Sequence, residues 1–237
     1  MADLADRVKQ NVKAVQQRIT SACDRAGRDP STIRIVGVSK TFPIQHVLAA
    51  ADAGVTDFGE YRVQEAEEKI EQARHLTGTT WHLIGHLQSN KARSAISAMT
   101  WIQSLDSLAL LQRLERAAKE EGTSAQLLLQ VDLAGEATKY GAAADVIYQL
   151  LDAGANCHAV KIRGLMGLPP WSANPEQSRP YFRQLSRLRD QLIDTGVDKT
   201  MLGELSMGMS HDFDVAIEEG ATIIRVGTAI FGRRSSN

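Results

Sequence analysis

The sequence is poor in cysteine, has no long apolar run and carries no excess of one charge. Cys23 and Cys157 lack CxxC spacing and have no Cys/His cluster beside them, so neither a zinc site nor a disulfide framework is expected and we interpret them as ordinary free thiols. Without a run of about 18 apolar residues, no membrane span is expected. The formal net charge is -1 and the charges are interspersed, which gives no basic face for nucleic acid.

The amino-terminal segment has the apolar spacing of an amphipathic helix. Its apolar residues recur every three or four positions: Leu4, Val8, Val12, Val15 and Ile19. A signal peptide would instead carry a short continuous apolar core. This pattern predicts a cytoplasmic protein.

After this helix, short β-branched runs alternate with stretches of helical periodicity. The strand candidates are, in chain order, IRIVGVSK, TDFGE, TWHLIG, WIQSL, QLLLQVDL, IRGLMGL, TMLGELSMG and IIRVGTAIF. Gly154, Gly196 and Gly220 are expected to close later helices. No Pro/Gly/Ser-rich linker divides the chain, so residues 1–237 are expected to form a single domain.

Eight predicted strands that alternate with helices indicate an α/β fold. We predict a (β/α)8 TIM-type barrel with an extra N-terminal helix. The extra helix could close the gap in the outer ring that no helix after the last strand fills. The alternative is a doubly wound open sheet. A dinucleotide site in such a sheet needs a G-x-G-x-x-G turn, and VGVSKTFP does not supply one.

Lys40 ends the first predicted strand, where barrel enzymes gather their site residues. Strand alternation places Val36, Val38 and Lys40 on one face. If that face is the barrel interior, desolvation disfavours the ammonium and leaves more free amine to attack an aldehyde. The alternative is a lysine that reaches water from the strand end.

A second cluster contains small and hydroxylated residues in the last two loops. Ser206 and Ser210 precede a predicted helix, and Gly227 and Thr228 follow the last strand. Hydroxyls and close backbone N–H groups suit a phosphate, which barrels often bind at this position. The alternative is that these residues are only caps and turns.

Arg225 lies two residues before Gly227, so both are on the same face of the last strand. An inward guanidinium needs an acceptor, which an unprotonated ring nitrogen would supply. The alternative is an ion pair with Glu60 or Asp132. An amine, a phosphate cup and an arginine together indicate a site for pyridoxal 5'-phosphate (PLP).

At these residues the chain resembles the pyridoxal phosphate homeostasis protein family. The resemblance rests on VGVSKTFP, DFGEYRVQE, WHLIGHLQSNK, IRGLMGL and LSMGMSHDFDVAIEEGATIIRVGTAIFG. It implies an alanine-racemase-like barrel of PLP fold type III, with PLP as a Schiff base on Lys40 and Arg225 facing the pyridine nitrogen. Around the phosphate it places Ser206, Ser210, Gly227 and Thr228. Tyr61 departs from the family, which usually has Asn there, and could alter packing beside the cofactor.

The expected function is PLP binding in intracellular PLP and amino-acid homeostasis, without established catalysis. Arginine leaves the pyridine neutral, which weakens the electron sink that racemisation needs. The alternative is a PLP-dependent amino-acid racemase, with His82, His86 or His211 as weak candidates for a second base. Expected partners are PLP and PLP-dependent enzymes as recipients. A monomer is expected, and a regulatory interaction module is a third interpretation.

Overall fold

The computed structural model describes residues 2–133 and 141–233, in which eight parallel strands form a closed barrel. The strands are β1 (Arg34–Val38), β2 (Asp57–Glu60), β3 (Thr80–Leu83), β4 (Trp101–Leu105), β5 (Ala125–Val131), β6 (Val160–Gly167), β7 (Glu204–Met209) and β8 (Ile223–Val226). Closure comes from pairing of β8 with β1, in which Val36 lies opposite Arg225. The barrel prediction is therefore confirmed, and an open doubly wound sheet is excluded.

The outer layer consists of α-helices that follow the strands, preceded by one additional helix. The helices are α1 (Ala2–Ala26), α2 (Ile44–Asp52), α3 (Val63–Gln72), α4 (Ala92–Ala98), α5 (Leu108–Glu121), α6 (Ala144–Ala155), α7 (Arg179–Asp194), α8 (Phe213–Glu218) and α9 (Thr228–Phe231). Short 3-10 helices occupy Pro30–Thr32, Ser89–Lys91, Pro175–Ser178 and Lys199–Met201.

Helix α1 fills the gap in the outer ring, as the sequence predicts. It packs against α2, α8 and the single turn of α9. The side-chain amide of Asn11 donates to the carbonyl oxygen of Ile230 at 2.9 Å, which joins α1 to α9. The buried stripe of α1 includes Val8, Val12 and Val15. The α1 stripe thus completes the packing that a longer last helix would otherwise provide.

Two apolar cores lie on opposite faces of the strands. The larger one fills the space between strands and helices. The smaller one lies inside the barrel and consists of Val36, Trp101, Leu128, Met166 and Ile223. The interior also holds buried polar side chains, so the barrel is filled by side chains of both kinds.

The structure differs from the predicted elements at several boundaries. Strand β1 ends at Val38, so Lys40 lies in the following turn, and β8 ends at Val226, where the chain turns into α9. Gly154 lies inside α6 and does not close it; its lack of a side chain lets α6 pack closely on Ile162, with which a Cβ would collide. Gly196 and Gly220 do follow the ends of α7 and α8, with φ of 98° and 104°. No helix in the described ranges has the length and hydropathy of a membrane span.

Candidate functional site

A cavity of about 370 Å³ opens at the carboxyl ends of the strands. It is lined by most of the predicted site residues: Lys40, Ser210, Arg225, Gly227 and Thr228. Its apolar walls include Val38, Ile84 and Leu168. Residues far apart in the sequence therefore meet in one cavity because parallel strands end on the same side of the barrel.

Lys40 is half-buried on the cavity wall, directly above the strand that carries Val38. Its Nζ lies 3.5 Å from the centroid of the Tyr61 ring, a cation–π contact. Thr41 follows with φ of 67°, a left-handed conformation that is uncommon for a β-branched residue. Such a backbone persists only where the surroundings hold it, and it turns the chain sharply after Lys40.

The turn that carries Lys40 is held by a buried cluster on the helix side of the sheet. We call this cluster the outer clamp: Ser39, Glu60, Glu65 and Lys69. Lys69 Nζ donates to the Ser39 carbonyl at 2.7 Å, to Glu60 at 2.7 Å and to Glu65 at 2.8 Å. The Thr41 N–H donates to Glu65 at 2.5 Å. The backbone is thus fixed on both sides of Lys40, while its side chain reaches the cavity.

The two glutamates of the outer clamp have opposite pKa shifts. Burial raises the pKa of Glu60, and the hydrogen bonds from Lys69 and Ser39 do not fully offset it. Burial also raises the pKa of Glu65, but hydrogen bonds from Lys69 and Thr41 outweigh it, so the net pKa is lowered. Lys69 lowers the pKa of both glutamates, and the deeper burial of Glu60 accounts for the difference in the net shift.

The hydroxyl end of the cavity joins the loops after β7 and β8. Ser210 Oγ accepts the N–H groups of Gly227 at 3.1 Å and Ala229 at 3.2 Å. Below it, the buried Asp212 carboxylate accepts the Met209 N–H at 2.7 Å and the Ser178 hydroxyl at 2.9 Å. These contacts hold the two loops as one wall.

Gly227 forms part of this wall, and nothing in the packing demands a glycine there. Its φ is -106°, and a Cβ would lie 3.4 Å from the Val38 carbonyl oxygen, an ordinary contact. Gly227 thus contributes to the cavity wall without a steric requirement for glycine.

Arg225 lies at the floor of the cavity and is 4% exposed. Its guanidinium donates to Ser206 Oγ at 2.6 Å and to the Gly167 carbonyl oxygen at 2.9 Å. Burial lowers the pKa of Arg225 to about 10, which leaves it charged at neutral pH. Both hydrogen bonds go to neutral acceptors. Glu60, one of the expected ion-pair partners, is paired with Lys69 on the other side of the sheet.

Ser206 is the predicted site residue that does not line the cavity. It is fully buried beneath Arg225, where its hydroxyl donates to Gln103 Oε1 at 2.6 Å. The alternation of β7 turns Ser206 into the barrel interior, below the level at which the loop residue Ser210 meets the cavity. Its contact with the cavity is therefore made through Arg225.

The histidines proposed as bases are dispersed. His82 is fully buried in the middle of β3, and His86 lies near Asp106, with 3.4 Å between Nδ1 and Oδ2. His211 lines the cavity, and its Nε2 lies 2.9 Å from the Ser172 carbonyl oxygen. Among the residues that the structure describes, no group of three His, Cys, Asp or Glu side chains could hold a metal ion.

The sequence interpretation missed two residues that support the site. Gln103 contacts Ser206, and Lys69 contacts the Ser39 carbonyl beside Lys40. Gln103 is a polar residue within the buried strand WIQSL, and that pattern is a usable signal for an inward polar group. Lys69 occurs on a helix in which half of the residues are charged, and nothing in the sequence distinguishes it from an exposed lysine. Its burial depends on the sheet beneath α3.

The cavity suits a small anionic aromatic aldehyde. Lys40 offers an amine, Ser210 and Thr228 offer hydroxyls, and Arg225 offers a guanidinium from below. The apolar walls would cover the faces of a ring. The residues present therefore fit a phosphorylated pyridine aldehyde.

Comparisons with known proteins agree over nearly the whole chain. Residues 5–235 match the family model described as alanine racemase, N-terminal domain. The chain is 40% identical over 225 residues to the pyridoxal phosphate homeostasis protein of Aquifex aeolicus, covering 95% of this chain and 97% of the relative. It is 39% identical over 227 residues to the protein of that name from Pseudomonas aeruginosa, covering 96% of each chain.

Solved structures give the same picture. PipY of Synechococcus elongatus, in a structure with PLP bound, superposes with a TM-score of 0.81 at 39% identity, covering 92% of this chain and 100% of PipY. Alanine racemase of Clostridium difficile 630 superposes with a TM-score of 0.74 at 15% identity, covering 98% of this chain and 58% of the racemase. The second likeness is one of fold alone.

Proposed function

Because the chain belongs to the pyridoxal phosphate homeostasis protein family, we propose that it binds PLP through a Schiff base on Lys40. It would act in intracellular PLP and amino-acid homeostasis. The observation that carries the proposal is the convergence of Lys40, Arg225 and the hydroxyls of Ser210 and Thr228 on one cavity. PLP, when bound, supplies an aldehyde that combines reversibly with amines.

Each cavity residue has a proposed role toward PLP. Lys40 Nζ would hold the aldehyde end, and Ser210, Gly227 and Thr228 would surround the phosphate. Arg225 would lie against the ring nitrogen. Ser206, expected beside the phosphate, would act on PLP only indirectly and through Arg225, since its hydroxyl contacts Arg225 and Gln103.

The presence of Arg225 favours a protein that holds PLP over an enzyme that uses PLP to convert amino acids. A guanidinium can only donate hydrogen bonds, so the ring nitrogen that it faces would remain unprotonated. A neutral ring withdraws electrons less than a pyridinium and stabilises a carbanion less. The site is therefore better suited to reversible storage and release than to rapid chemistry on amino acids.

Borohydride trapping tests the attachment. We expect an absorbance band from PLP on the purified protein that borohydride converts to a stable adduct, with the label on the Lys40 peptide. Lys40→Ala should lose the adduct, while Lys91→Ala, a substitution outside this cavity, should keep it. An adduct on another lysine, or none on the wild type, would refute the assignment.

Racemisation is the second candidate function, and the observation in its favour is that His211 lines the same cavity. Incubation of the protein with L-amino acids, followed by separation of the enantiomers, distinguishes PLP storage from racemisation. Storage without turnover predicts no steady appearance of the D-form. A D-amino acid that appears steadily and disappears with Lys40→Ala would establish the racemase.

Further parts of the proposal concern the state of the protein. We propose PLP-dependent enzymes as recipients of the cofactor, a monomeric and cytoplasmic protein, and one domain over residues 1–237. The contact of Asn11 with Ile230 supports the single domain because it joins the first helix to the last. Light scattering of the purified protein tests the monomer, and PLP transfer to an apoenzyme in a coupled assay tests the recipients.

A further inference from the structure

A continuous hydrogen-bond chain crosses the barrel interior and ends on the cavity floor. We call it the inner chain: Asp57, His82, Gln103, Ser206 and Arg225. Its successive distances are 2.9 Å, 3.0 Å, 2.6 Å and 2.6 Å. It starts at the first residue of β2 and includes the step from β4 to β7, between strands that are not neighbours in the barrel. All of its members are at most 9% exposed.

The donor and acceptor groups of the inner chain allow only one direction of hydrogen-bond donation, from Arg225 toward Asp57. Arg225 can only donate, so Ser206 accepts from it and must give its own proton to Gln103 Oε1. With its carbonyl used, Gln103 donates through Nε2 to His82 Nδ1. His82 must then carry its proton on Nε2, which donates to the Asp57 carboxylate.

The surroundings of the inner chain favour this arrangement. The His82 ring stacks on Trp101 with centroids 5.6 Å apart and planes 12° apart, which fixes its orientation. Burial lowers the pKa of His82, so the imidazole is neutral and Nδ1 is free to accept. Burial raises the pKa of Asp57, but hydrogen bonds from His82 and Thr56 outweigh this effect, so the carboxyl is an anion. Both ends of the chain are therefore charged and its middle is neutral.

We propose that His82, Gln103 and Ser206 are positioning residues that hold the Arg225 guanidinium toward the cavity through this one oriented chain, anchored at Asp57. The consequence for the ligand rests on the proposed function, since it is PLP that Arg225 would meet. The inner chain leaves Arg225 no freedom to rotate without breaking the bonds to Ser206 and Gly167. Removal of a middle member should therefore weaken PLP binding through Arg225 alone.

A double-mutant cycle tests this dependence. Gln103→Leu keeps the side-chain size and removes both amide groups, and Arg225→Met removes the guanidinium. PLP affinity, measured by absorbance titration, should fall about tenfold with Gln103→Leu in the wild-type background, a size typical of directly coupled residues. In the Arg225→Met background the same substitution should change the affinity by less than about twofold.

The outcomes of the cycle distinguish a positioning role of Gln103 from a general structural role. An equal loss in both backgrounds would mean that Gln103 acts on the barrel as a whole, and the proposal would be overturned. No loss in the wild-type background would overturn it as well. Ser104→Ala is the control: Ser104 Oγ is buried and has no hydrogen-bond partner among the residues that the structure describes, so its removal should leave PLP affinity unchanged.

A second measurement needs no PLP and reads the wild-type protein itself. In wild-type protein with ¹⁵N-labelled histidine, the His82 signals, assigned by comparison with His82→Gln, should show a neutral ring protonated at Nε2. Protonation at Nδ1 would reverse Gln103 and leave the Ser206 proton without an acceptor, which would overturn the proposal. If the wild type failed to bind PLP, the proposed function would fail, but this measurement would still test the inner chain.

Discussion

The inner chain and the outer clamp are both buried and polar, and both serve the same cavity from opposite faces of the barrel wall, yet they are built differently. The outer clamp is ionic: Lys69 donates to two glutamates and a carbonyl. The inner chain has neutral side chains between its charged ends. The outer clamp ends on the backbone around Lys40, and the inner chain ends on the Arg225 side chain.

Under the proposed function, this difference matches what Lys40 and Arg225 would each have to do. A lysine that combines with an aldehyde and releases it needs a mobile amine on a fixed backbone, and the outer clamp provides this by holding Ser39 and Thr41. An arginine that orients a ring needs a fixed guanidinium, which side-chain hydrogen bonds provide. The barrel thus fixes one functional residue through its neighbours and the other through its own donors.

The largest expected effect is from Lys69→Met, which removes the cation of the outer clamp. Glu60 would be left buried without a counter-charge, and breaking such a pair costs about 3–5 kcal/mol of unfolding free energy. Urea denaturation followed by circular dichroism measures the loss. Lys119→Met is the control: the Lys119 side chain is exposed, and its partner Glu115 keeps three backbone N–H donors, so the loss should stay below about 1 kcal/mol. If both variants lost a similar amount of unfolding free energy, the outer clamp would contribute no more to stability than an exposed ion pair.

The next effect sharpens the comparison inside the barrel. Ser206→Ala leaves a donor of Arg225 and the acceptor of Gln103 unsatisfied, which costs about 1–3 kcal/mol of unfolding free energy. Ser104→Ala removes a buried hydroxyl without a hydrogen-bond partner in the described part of the chain, so its effect on the unfolding free energy should be close to zero. Equal values for these matched substitutions in thermal or urea unfolding would contradict the inner chain as a stabilising element.

A smaller effect concerns Glu65 and its pH dependence. Because the folded-state pKa of Glu65 lies below its ordinary value of 4.5, its contribution to stability is present above pH 4.5. The contribution is lost as the pH falls through the folded-state value. Glu65→Gln should therefore cost about 1 kcal/mol at pH 7 and converge with the wild type in acid. A difference between the two that persists unchanged at low pH would exclude the carboxylate charge as its source.

The smallest effect tests whether the amine of Lys40 is free to move. Tyr61→Leu removes the ring that covers Nζ, a contact worth about 0.5–1 kcal/mol at an exposed position. PLP uptake, followed by stopped-flow absorbance, should become about twofold to fivefold faster. Tyr61→Phe keeps the ring and should match the wild type. If Tyr61→Phe instead behaves like Tyr61→Leu, the phenol hydroxyl is responsible and the cation–π contact is not.

Much of the fold could be predicted because its signals are local. The alternation of β-branched runs with helical stripes indicated the strands that close the barrel, and the spacing of Val8, Val12 and Val15 indicated α1. Boundaries were harder to predict: IIRVGTAIF reads as one strand, whereas β8 ends at Val226 and α9 begins at Thr228, where it packs against α1. Gly154 misled for a related reason: its role is to let α6 approach Ile162.

The cavity residues followed from position along the strands, but their partners did not. Lys40, Arg225 and Ser210 could be placed because strand ends converge in a parallel barrel. The position of Ser206 could not be predicted in this way. How deep its side chain lies in the barrel, below the cavity, depends on the register of β7 with its neighbouring strands. Gln103 and Ser206 are separated by 103 positions in the chain and meet only across the closed barrel.

The sequence by itself determined the repeating unit, the residues available for chemistry and their side of the barrel, because periodicity is a property of neighbouring residues. Only the tertiary structure decided which buried polar groups meet. Lys69 is one lysine among many until α3 packs on the sheet, and His82 has a defined tautomer only when Gln103 and Asp57 approach it from different strands. Burial makes these partners obligatory, since an unpaired polar group loses water without any replacement.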